Sequence, residues 1–224
     1  MGLGGGVRED DDLEWVRLPD LPPDPVAVAQ DALADAMRAW GAAHLRWDGS
    51  DRERFLLVDL DNIRADPARL RARLALLSAV AAEADHVVLA GQDGAVRRAQ
   101  PWLGAMAETT YAVPDGADLA DHVLLDEARD LSDGGPAQFM VASNDGIFAR
   151  LAVRGPLTLL SPGAASLNDR LRDAADRIVD LGELEALLGG RPARIPAPRE
   201  AAGRGGARRT AARPATPRAR RRRR

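Results

Sequence analysis

The sequence predicts a three-layer α/β/α domain built around a central parallel β-sheet. Short apolar segments alternate with segments of helical periodicity from residue 51 to residue 190. The apolar segments are continuous runs rather than alternations with polar residues, as is typical of parallel strands covered on both faces. The stretch 191–224, which follows, is rich in Arg and nearly free of large apolar residues, so it predicts a disordered basic tail.

The elements follow one another in a regular order. Residues 1–24 are predicted to be disordered and acidic, and residues 25–50 to form an amphipathic helix and a polar turn. Strands are predicted at 54–60, 86–91, 109–113, 138–143 and 156–161, with a short edge strand at 177–181. Helices are predicted at 66–83, 95–106, 116–131, 146–153 and from about 166 to 175, with a closing helical turn at 182–188.

Particular residues mark some of these boundaries. Asp66-Pro67 combines an N-cap residue with proline at the first helical position, so it predicts a helix start. Pro101 is predicted to disturb the helix at 95–106, because proline cannot donate a backbone hydrogen bond. Ser166 with Asp169 resembles a capping box and predicts that the next helix opens at Ser166.

The composition narrows the kind of protein. Hydrophobic residues make up 46% of the 224 residues but aromatic residues only 4%, so the core must be mostly aliphatic. The absence of cysteine excludes disulfides and thiolate metal sites. The N-terminus lacks the basic and apolar regions of a signal peptide, and no apolar run approaches the roughly 18–20 residues of a membrane span. We therefore expect a soluble cytoplasmic protein with no membrane partner.

Acidic and amide side chains follow three of the predicted strands. Parallel strands present their carboxyl ends at one edge of the sheet, where ligands of such folds bind. The residues concerned are Asp59, Asp61 and Asn62 after the first strand, Asp115, Asp118 and Asp121 after the third, and Ser143, Asn144 and Asp145 after the fourth. The sequence therefore predicts a polar, acidic site at this edge.

Helix capping is the alternative explanation for each of these residues, because Asp, Asn and Ser are favoured N-caps. Two observations weaken it. Asp66 already caps the helix after the first strand, and Asp118 and Asp121 lie three residues apart on one helix face, where only one cap is needed. Asp61 is also open to interpretation as a supporting loop residue.

A cluster of carboxylates requires a neutralising partner. Two carboxylates about 4 Å apart repel by roughly 4 kcal/mol at an effective dielectric constant near 20. Mg²⁺ accepts oxygen ligands of this kind and keeps several waters, which serve phosphodiester hydrolysis. The histidines, at positions 44, 86 and 122, are scattered, so a zinc site is not expected.

Three motifs together resemble the NYN domain family of PIN-like ribonucleases, over about residues 53–181. They are LVDLDN, DGADLADHVLL and FMVASNDGIFARLA. The family's Asp-x-x-Asn after the first strand is matched by Asp59 and Asn62. Its acidic residues at the start of a crossing helix are matched by Asp118 and Asp121, and its Ser-Gly-Asp or Ser-Asn-Asp by Ser143-Asn144-Asp145.

The resemblance implies a Rossmann-like (PIN-like) fold and a metal-dependent ribonuclease. Asp59, Asp118, Asp121 and Asp145 would be the catalytic residues and the ligands of Mg²⁺ or Mn²⁺, and the metal would activate water against single-stranded RNA. Asn62, Ser143 and Asn144 would orient the ligands or the phosphate. Many family members have a second Asp two residues after the position of Asp145, where this chain has Ile147.

Two other functions stay open from the sequence. Ile147 favours a non-catalytic RNA-binding module with a partly decayed site. Asp59-Leu60-Asp61 at a strand end also fits a haloacid-dehalogenase-type phosphatase, with Asp59 as nucleophile and Asp61 as general acid. The helix at 25–45 is in addition a candidate surface for self-association or a protein partner.

Charge is distributed unevenly along the chain. The net charge is −3, yet residues 191–224 carry about +12 and the remaining residues about −15. Such a tail would attract RNA by releasing counterions from its phosphates, and the tethering residues would include Arg208, Arg209, Arg220, Arg221 and Arg222. Two alternatives are a solvated terminus without function and a tail that folds back over the acidic site.

Overall fold

The structure is a computed structural model that describes residues 25–116, 118–132, 134–190 and 199–200. Its central sheet has six parallel strands in the order β3-β2-β1-β4-β5-β6, with a two-residue antiparallel strand β7 beside β6. The strands are β1 Glu53–Asp59, β2 His86–Gln92, β3 Thr110–Val113, β4 Ala137–Ala142, β5 Leu157–Ser161, β6 Arg177–Asp180 and β7 Arg199–Glu200. The predicted α/β/α domain with a parallel sheet is therefore confirmed.

Six α-helices lie among the described residues: α1 Pro25–His44, α2 Pro67–Ala81, α3 Asp93–Ala99, α4 Leu119–Asp130, α5 Asp169–Ala174 and α6 Leu181–Gly190. Short 3₁₀ segments occupy Gln100–Trp102, Gly104–Thr109, Gly146–Val153 and Ala164–Ser166. None of the described helices has both the length and the apolar character needed to cross a membrane.

Alternate residues of β1 face the two helical layers. Leu56 and Val58 belong to the core formed with α1, α2, α3 and α6. Phe55 and Leu57 belong to the core formed with α4, α5 and the 3₁₀ segment Gly146–Val153. All four side chains are fully buried, which explains why this strand reads as a continuous apolar run.

Helix α1 packs on α2 and uses its apolar face inside the domain. Met37 and Trp40 are buried there, at 0% and 2% exposure. The proposal that this helix offers a surface to a partner stays a prediction. Of its larger apolar side chains, Val28 is half exposed.

The structure corrects the local prediction at Ser166. The helix there begins at Asp169, and its N-cap is Asn168, whose side chain accepts a hydrogen bond from the Arg170 backbone N at 3.0 Å. Ser166 lies in the preceding 3₁₀ turn, where its hydroxyl accepts a hydrogen bond from the Asn144 side chain at 2.6 Å. A long-range partner thus takes the hydroxyl that the capping-box pattern assigned to the helix.

Three other helix predictions can be compared with the structure. The predicted helix at 95–106 is α-helical only to Ala99 and continues as 3₁₀ segments around Pro101, in keeping with the missing backbone donor. The predicted helix at 146–153 has these bounds but is 3₁₀ throughout. Asp66 caps α2 as expected, because its side chain accepts from the Arg69 backbone N at 3.1 Å.

The order of the strands reverses between β1 and β4. The chain proceeds from β1 to β2 and β3 on one side, then crosses back to β4, β5 and β6 on the other. A crevice at the carboxyl ends of β1 and β4 is the usual ligand site of such sheets. The segments predicted to be disordered, 1–24 and 191–224, lie outside the described residues together with the tethering arginines, except for residues 199–200, which form the short strand β7.

Candidate metal centre

Three carboxylates meet beside the β1–β4 crevice. Asp118 precedes α4, Asp121 lies in its first turn, and Asp145 follows β4. Each offers an oxygen that lies within 4.8 Å of the others. The sequence prediction that these residues converge from separate strand ends is therefore correct for this group, which we call the acidic cluster.

Asp121 is the buried member of the acidic cluster. Its side chain is 7% exposed, and its Oδ1 is buried without a hydrogen-bond partner among the described residues. Burial, which is the largest cause, acts together with the charges of Asp59, Asp145 and Asp118 to raise the pKa of Asp121 to about 7. This carboxyl is therefore held beside other acids with one oxygen unpaired, in a place where a cation would stabilise it.

Asp59 borders the acidic cluster at the end of β1. It is 2% exposed, and its charge is one of the causes that raise the pKa of Asp121. Its carboxylate accepts from the Asn62 side chain at 2.7 Å and the Ser143 hydroxyl at 3.0 Å, and from the backbone N of Asp61 and Asn62 at 3.0 and 3.1 Å. Burial raises the pKa of Asp59, and the bonds from Asn62 and Ser143 act against that rise.

Asp118 is held in an unusual backbone conformation. Its φ is 59°, the left-handed region, and it is the one non-glycine residue with positive φ among those described. Its side chain makes no capping hydrogen bond, so the capping explanation fails for this residue. Asp118 instead leaves its carboxylate exposed beside Asp121, while its backbone oxygen accepts from the His122 backbone N at 3.1 Å.

Asp145 combines both roles that the sequence left open. Its side chain accepts a hydrogen bond from the Ile147 backbone N at 2.9 Å and so caps the 3₁₀ segment Gly146–Val153. Its own backbone N donates to the Ser143 hydroxyl at 3.1 Å. Ser143 therefore lies between Asp59 and Asp145, donating to one and accepting from the other.

Asn144 positions the loops around the acidic cluster. Its side chain donates to the backbone oxygen of Gly163 at 2.9 Å and the hydroxyl of Ser166 at 2.6 Å, and accepts from the hydroxyl of Ser161 at 2.7 Å. Its backbone N donates to Oδ1 of Asn62 at 3.4 Å. The orienting role expected for Asn62 and Asn144 thus takes the form of contacts among loops.

Asp61 has a different task from its neighbours. Its Oδ2 accepts from the Gln92 backbone N at 2.8 Å, and its Oδ1 pairs with Arg64 at 2.6 Å. It therefore joins the ends of β1 and β2, in agreement with its interpretation as a supporting loop residue. Asp115 is exposed and lies outside the acidic cluster.

Sequence reasoning missed two groups of residues near the site. One is Ser161 and the loop after β5, whose signal was a serine at the end of an apolar strand. The other is the buried pair of Arg73 and Glu185, 2% and 5% exposed. Arg73 is the third of three arginines at alternate positions in the first half of α2, so the sequence carried no signal that this one is buried.

Comparison with known proteins adds no family to this description. A scan against protein-family models finds no match for the chain, and a search among curated proteins finds none either. Fold and site together define an α/β protein with a parallel sheet and a partly buried acidic cluster compatible with a metal ion. The resemblance to the NYN domain family stays a prediction from the sequence motifs.

Proposed function

We propose that this chain is a metal-dependent ribonuclease of the PIN-like class that hydrolyses RNA phosphodiester bonds at the acidic cluster. The observation that carries the proposal is the buried, unpartnered oxygen of Asp121 among other carboxylates. A folded protein keeps a buried acid without a partner only at a cost, and acids of this kind concentrate at functional sites.

The donor set fits a hard divalent cation. Asp118, Asp121 and Asp145 offer carboxylate oxygens only, which suits Mg²⁺ or Mn²⁺ rather than zinc or copper. Asp118, Asp121 and Asp145 would hold the ion. Asp59 is close enough to Asp121 for its charge to raise the pKa of that carboxyl. Once bound, such an ion supplies an acidified water and polarises a phosphoryl oxygen.

The remaining polar groups keep the carboxylates in place. Asn62 and Ser143 fix the orientation of Asp59, and Ser143 also contacts the backbone of Asp145. Burial and the neighbouring carboxylates raise the pKa of Asp121 to about 7, so this carboxyl holds a proton part of the time at neutral pH. Because a cation would replace that proton, metal binding and protonation compete at this site.

RNA as the substrate is supported by the motif resemblance and by the distribution of charge. The chain without its tail carries about −15 and repels a polyanion away from any bound metal. The Arg-rich segment supplies sequence-independent attraction to phosphates. RNA is therefore held by the tail and cut at the acidic cluster.

A non-catalytic RNA-binding module is the second candidate, and one observation favours it. Ile147 stands where many family members have a second Asp, and its half-buried side chain packs against the core that contains Phe148. The site therefore lacks the carboxylate that this position would supply. The phosphatase alternative finds no comparable support. Both oxygens of Asp61, its general acid, are engaged by Gln92 and Arg64.

The test is cleavage of a labelled single-stranded RNA in Mn²⁺, Mg²⁺ or EDTA by the native chain, Asp59→Asn and Asp145→Asn. Asp126→Asn, on the exposed face of α4, is the matched control. We expect metal-dependent cutting by the native chain and the control that is lost in both site variants. RNA binding without cutting in any metal would establish the binding module, and cutting that survives both site substitutions would place the activity elsewhere.

A further inference from the structure

Arg73 is a buried arginine behind the site, and it is saturated with hydrogen bonds. Its side chain is 3% exposed and pairs with Glu185 of α6, whose side chain is 4% exposed, at 2.5 Å. Its Nη1 donates to the backbone oxygens of Ile63 and Arg64 at 3.2 and 3.3 Å. Its Nη2 donates to the backbone oxygen of Pro162 at 3.2 Å.

These carbonyl groups belong to two different loops at the carboxyl edge of the sheet. Ile63 and Arg64 lie in the loop after β1, directly after Asn62, which holds Asp59. Pro162 lies in the loop after β5, directly before Gly163. One planar guanidinium thus joins both loops from the interior, in the forked geometry that only arginine offers.

Asn144 joins the same two loops from the other side. Its backbone N donates to Asn62 in the loop after β1, and its side chain donates to Gly163 in the loop after β5. The contacts close a ring from Arg73 through the two loops to Asn144 and back. Asp145 follows Asn144 directly, so the ring links the segment that carries Asp59 to the segment that carries Asp145.

We propose that Arg73, compensated by Glu185, is a positioning residue that sets the spacing of the carboxylates at the metal centre. Arg73 contacts none of Asp59, Asp118, Asp121 and Asp145 among its hydrogen bonds, and it acts through the backbone of the loops after β1 and β5. The burial supports a fixed geometry, because each of its donors has a partner and no water is needed to satisfy them. The part of the inference that concerns metal binding rests on the proposed metal site.

The test uses a double variant, Arg73→Met with Glu185→Met, in the full chain. Replacing both buried charges by apolar residues of similar size keeps a fold far better than removing one of them. Glu185 also pairs with Arg69, whose side chain is 45% exposed and can turn to water when Glu185 is replaced. Arg154→Met is the control. Arg154 is half-buried and, like Arg73, donates to a backbone oxygen, that of Ala128 at 3.2 Å, but it lies at the opposite edge of the sheet.

The first readout is amide hydrogen exchange, which does not depend on any metal. The amides of Asn144 and Gly163 report on the loops, and the amide of Phe139, bonded to Pro156 at the far edge, reports on global stability. In the double variant we expect exchange of the loop amides to accelerate about tenfold or more beyond any change at Phe139. The Arg154 variant should accelerate exchange at Phe139, because the guanidinium lies over the Phe139 ring at 5.8 Å, and should not accelerate the loop amides beyond that change.

The second readout is Mn²⁺ affinity, and it separates this inference from the proposed function. Supporting residues around metal ligands typically change affinity by about 10- to 100-fold, and we expect a loss of that size in the double variant but not in Arg154→Met. Loop protection and Mn²⁺ affinity both unchanged in a folded double variant would overturn the positioning role. A native chain that binds no Mn²⁺, with loop protection still lost in the variant, would instead refute the metal site and leave the positioning role established.

Should the double variant fail to fold, Arg73→Lys provides the same test. Lysine keeps the charge opposite Glu185 but cannot donate to both loops at once in a planar fork. We expect a smaller loss of loop protection and of Mn²⁺ affinity than in the double variant. Arg73→Lys that matches the native chain in both readouts would overturn the positioning role.

Discussion

Asn62 binds Asp59 at two points: its side chain donates to Oδ2 at 2.7 Å and its backbone N donates to Oδ1 at 3.1 Å. Both bonds favour the ionised carboxylate, so they act against the rise in pKa that burial imposes on Asp59. The Asp-x-x-Asn spacing at the end of β1 is therefore one structural unit, in which a single turn places an amide against the preceding acid.

Removing the buried charge of Asp121 should stabilise the chain when no metal is present. In Asp121→Asn the repulsion with Asp59 and Asp145 disappears, and the new amide can donate to a neighbouring carboxylate. We expect a gain of about 1–3 kcal/mol, or roughly 3–10 °C in Tm. Calorimetry in EDTA and in Mn²⁺ checks this: the native chain should gain stability from Mn²⁺, and the variant should not. A variant that melts below the native chain in EDTA would contradict the repulsion.

The stability of the metal-free chain should depend on pH through Asp121. Its pKa rises from 3.8 to about 7 on folding, so the folded state binds the proton more tightly than the unfolded state. Stability from this group is complete below about 4 and is lost as the pH rises through about 7, a change on the order of 4 kcal/mol. Urea unfolding in EDTA at pH about 5 and about 8, compared with Asp121→Asn, isolates the effect. Equal pH dependence in the two proteins would show that this carboxyl titrates normally.

Ser143 should affect metal binding as well as stability. Ser143→Ala removes the hydroxyl that donates to Asp59 and accepts from the backbone N of Asp145. We expect the free energy of unfolding to fall by about 1–3 kcal/mol and the Mn²⁺ affinity to fall about tenfold. Ser132→Ala is the matched control, because Ser132 is also buried and contacts Arg154 and Gly134 far from the site. The stability of the Ser132 variant should fall by a similar amount with no change in Mn²⁺ affinity. A Ser143 variant that binds Mn²⁺ like the native chain would remove Ser143 from the site.

The Arg-rich tail should supply most of the salt-dependent affinity for RNA. A chain that ends at Glu200 keeps strand β7 but loses ten arginines. We expect weaker binding of single-stranded RNA in low salt and a shallower dependence on salt, because fewer counterions are released. Fluorescence anisotropy at several salt concentrations measures both quantities. An unchanged salt dependence would mean that the tail does not contact RNA, and faster cleavage by the shortened chain would support a tail that covers the acidic site.

The fold followed from the sequence because its signals are local. Continuous apolar runs such as Phe55–Val58 and a cap such as Asp66 depend on neighbours in the chain, and both appeared where the pattern predicted them. The acidic cluster followed for a related reason. Parallel strands bring their carboxyl ends to one edge, so that Asp121 and Asp145 meet although they are 24 positions apart in sequence.

The features that the sequence did not predict depend mainly on residues that lie far apart in the chain. Ser166 had the pattern of a cap, but its hydroxyl is taken by Asn144, which lies 22 residues away. The left-handed backbone of Asp118 has no signature in its neighbours. The pairing of Arg73 with Glu185 spans 112 residues, and nothing in the alternating arginines of α2 distinguished Arg73 as the buried one.

The most direct measurement is a titration of the full chain with Mn²⁺ followed by electron paramagnetic resonance, since bound and free Mn²⁺ give different signals. Asp121→Asn and Asp145→Asn test the acidic cluster, and Asp126→Asn on the exposed face of α4 is the control. We expect the native chain and the control to bind Mn²⁺ alike, and both cluster variants to bind it about tenfold more weakly or worse. A native chain that leaves Mn²⁺ free, or cluster variants that bind it as tightly as the native chain, would contradict a metal centre at this edge of the sheet.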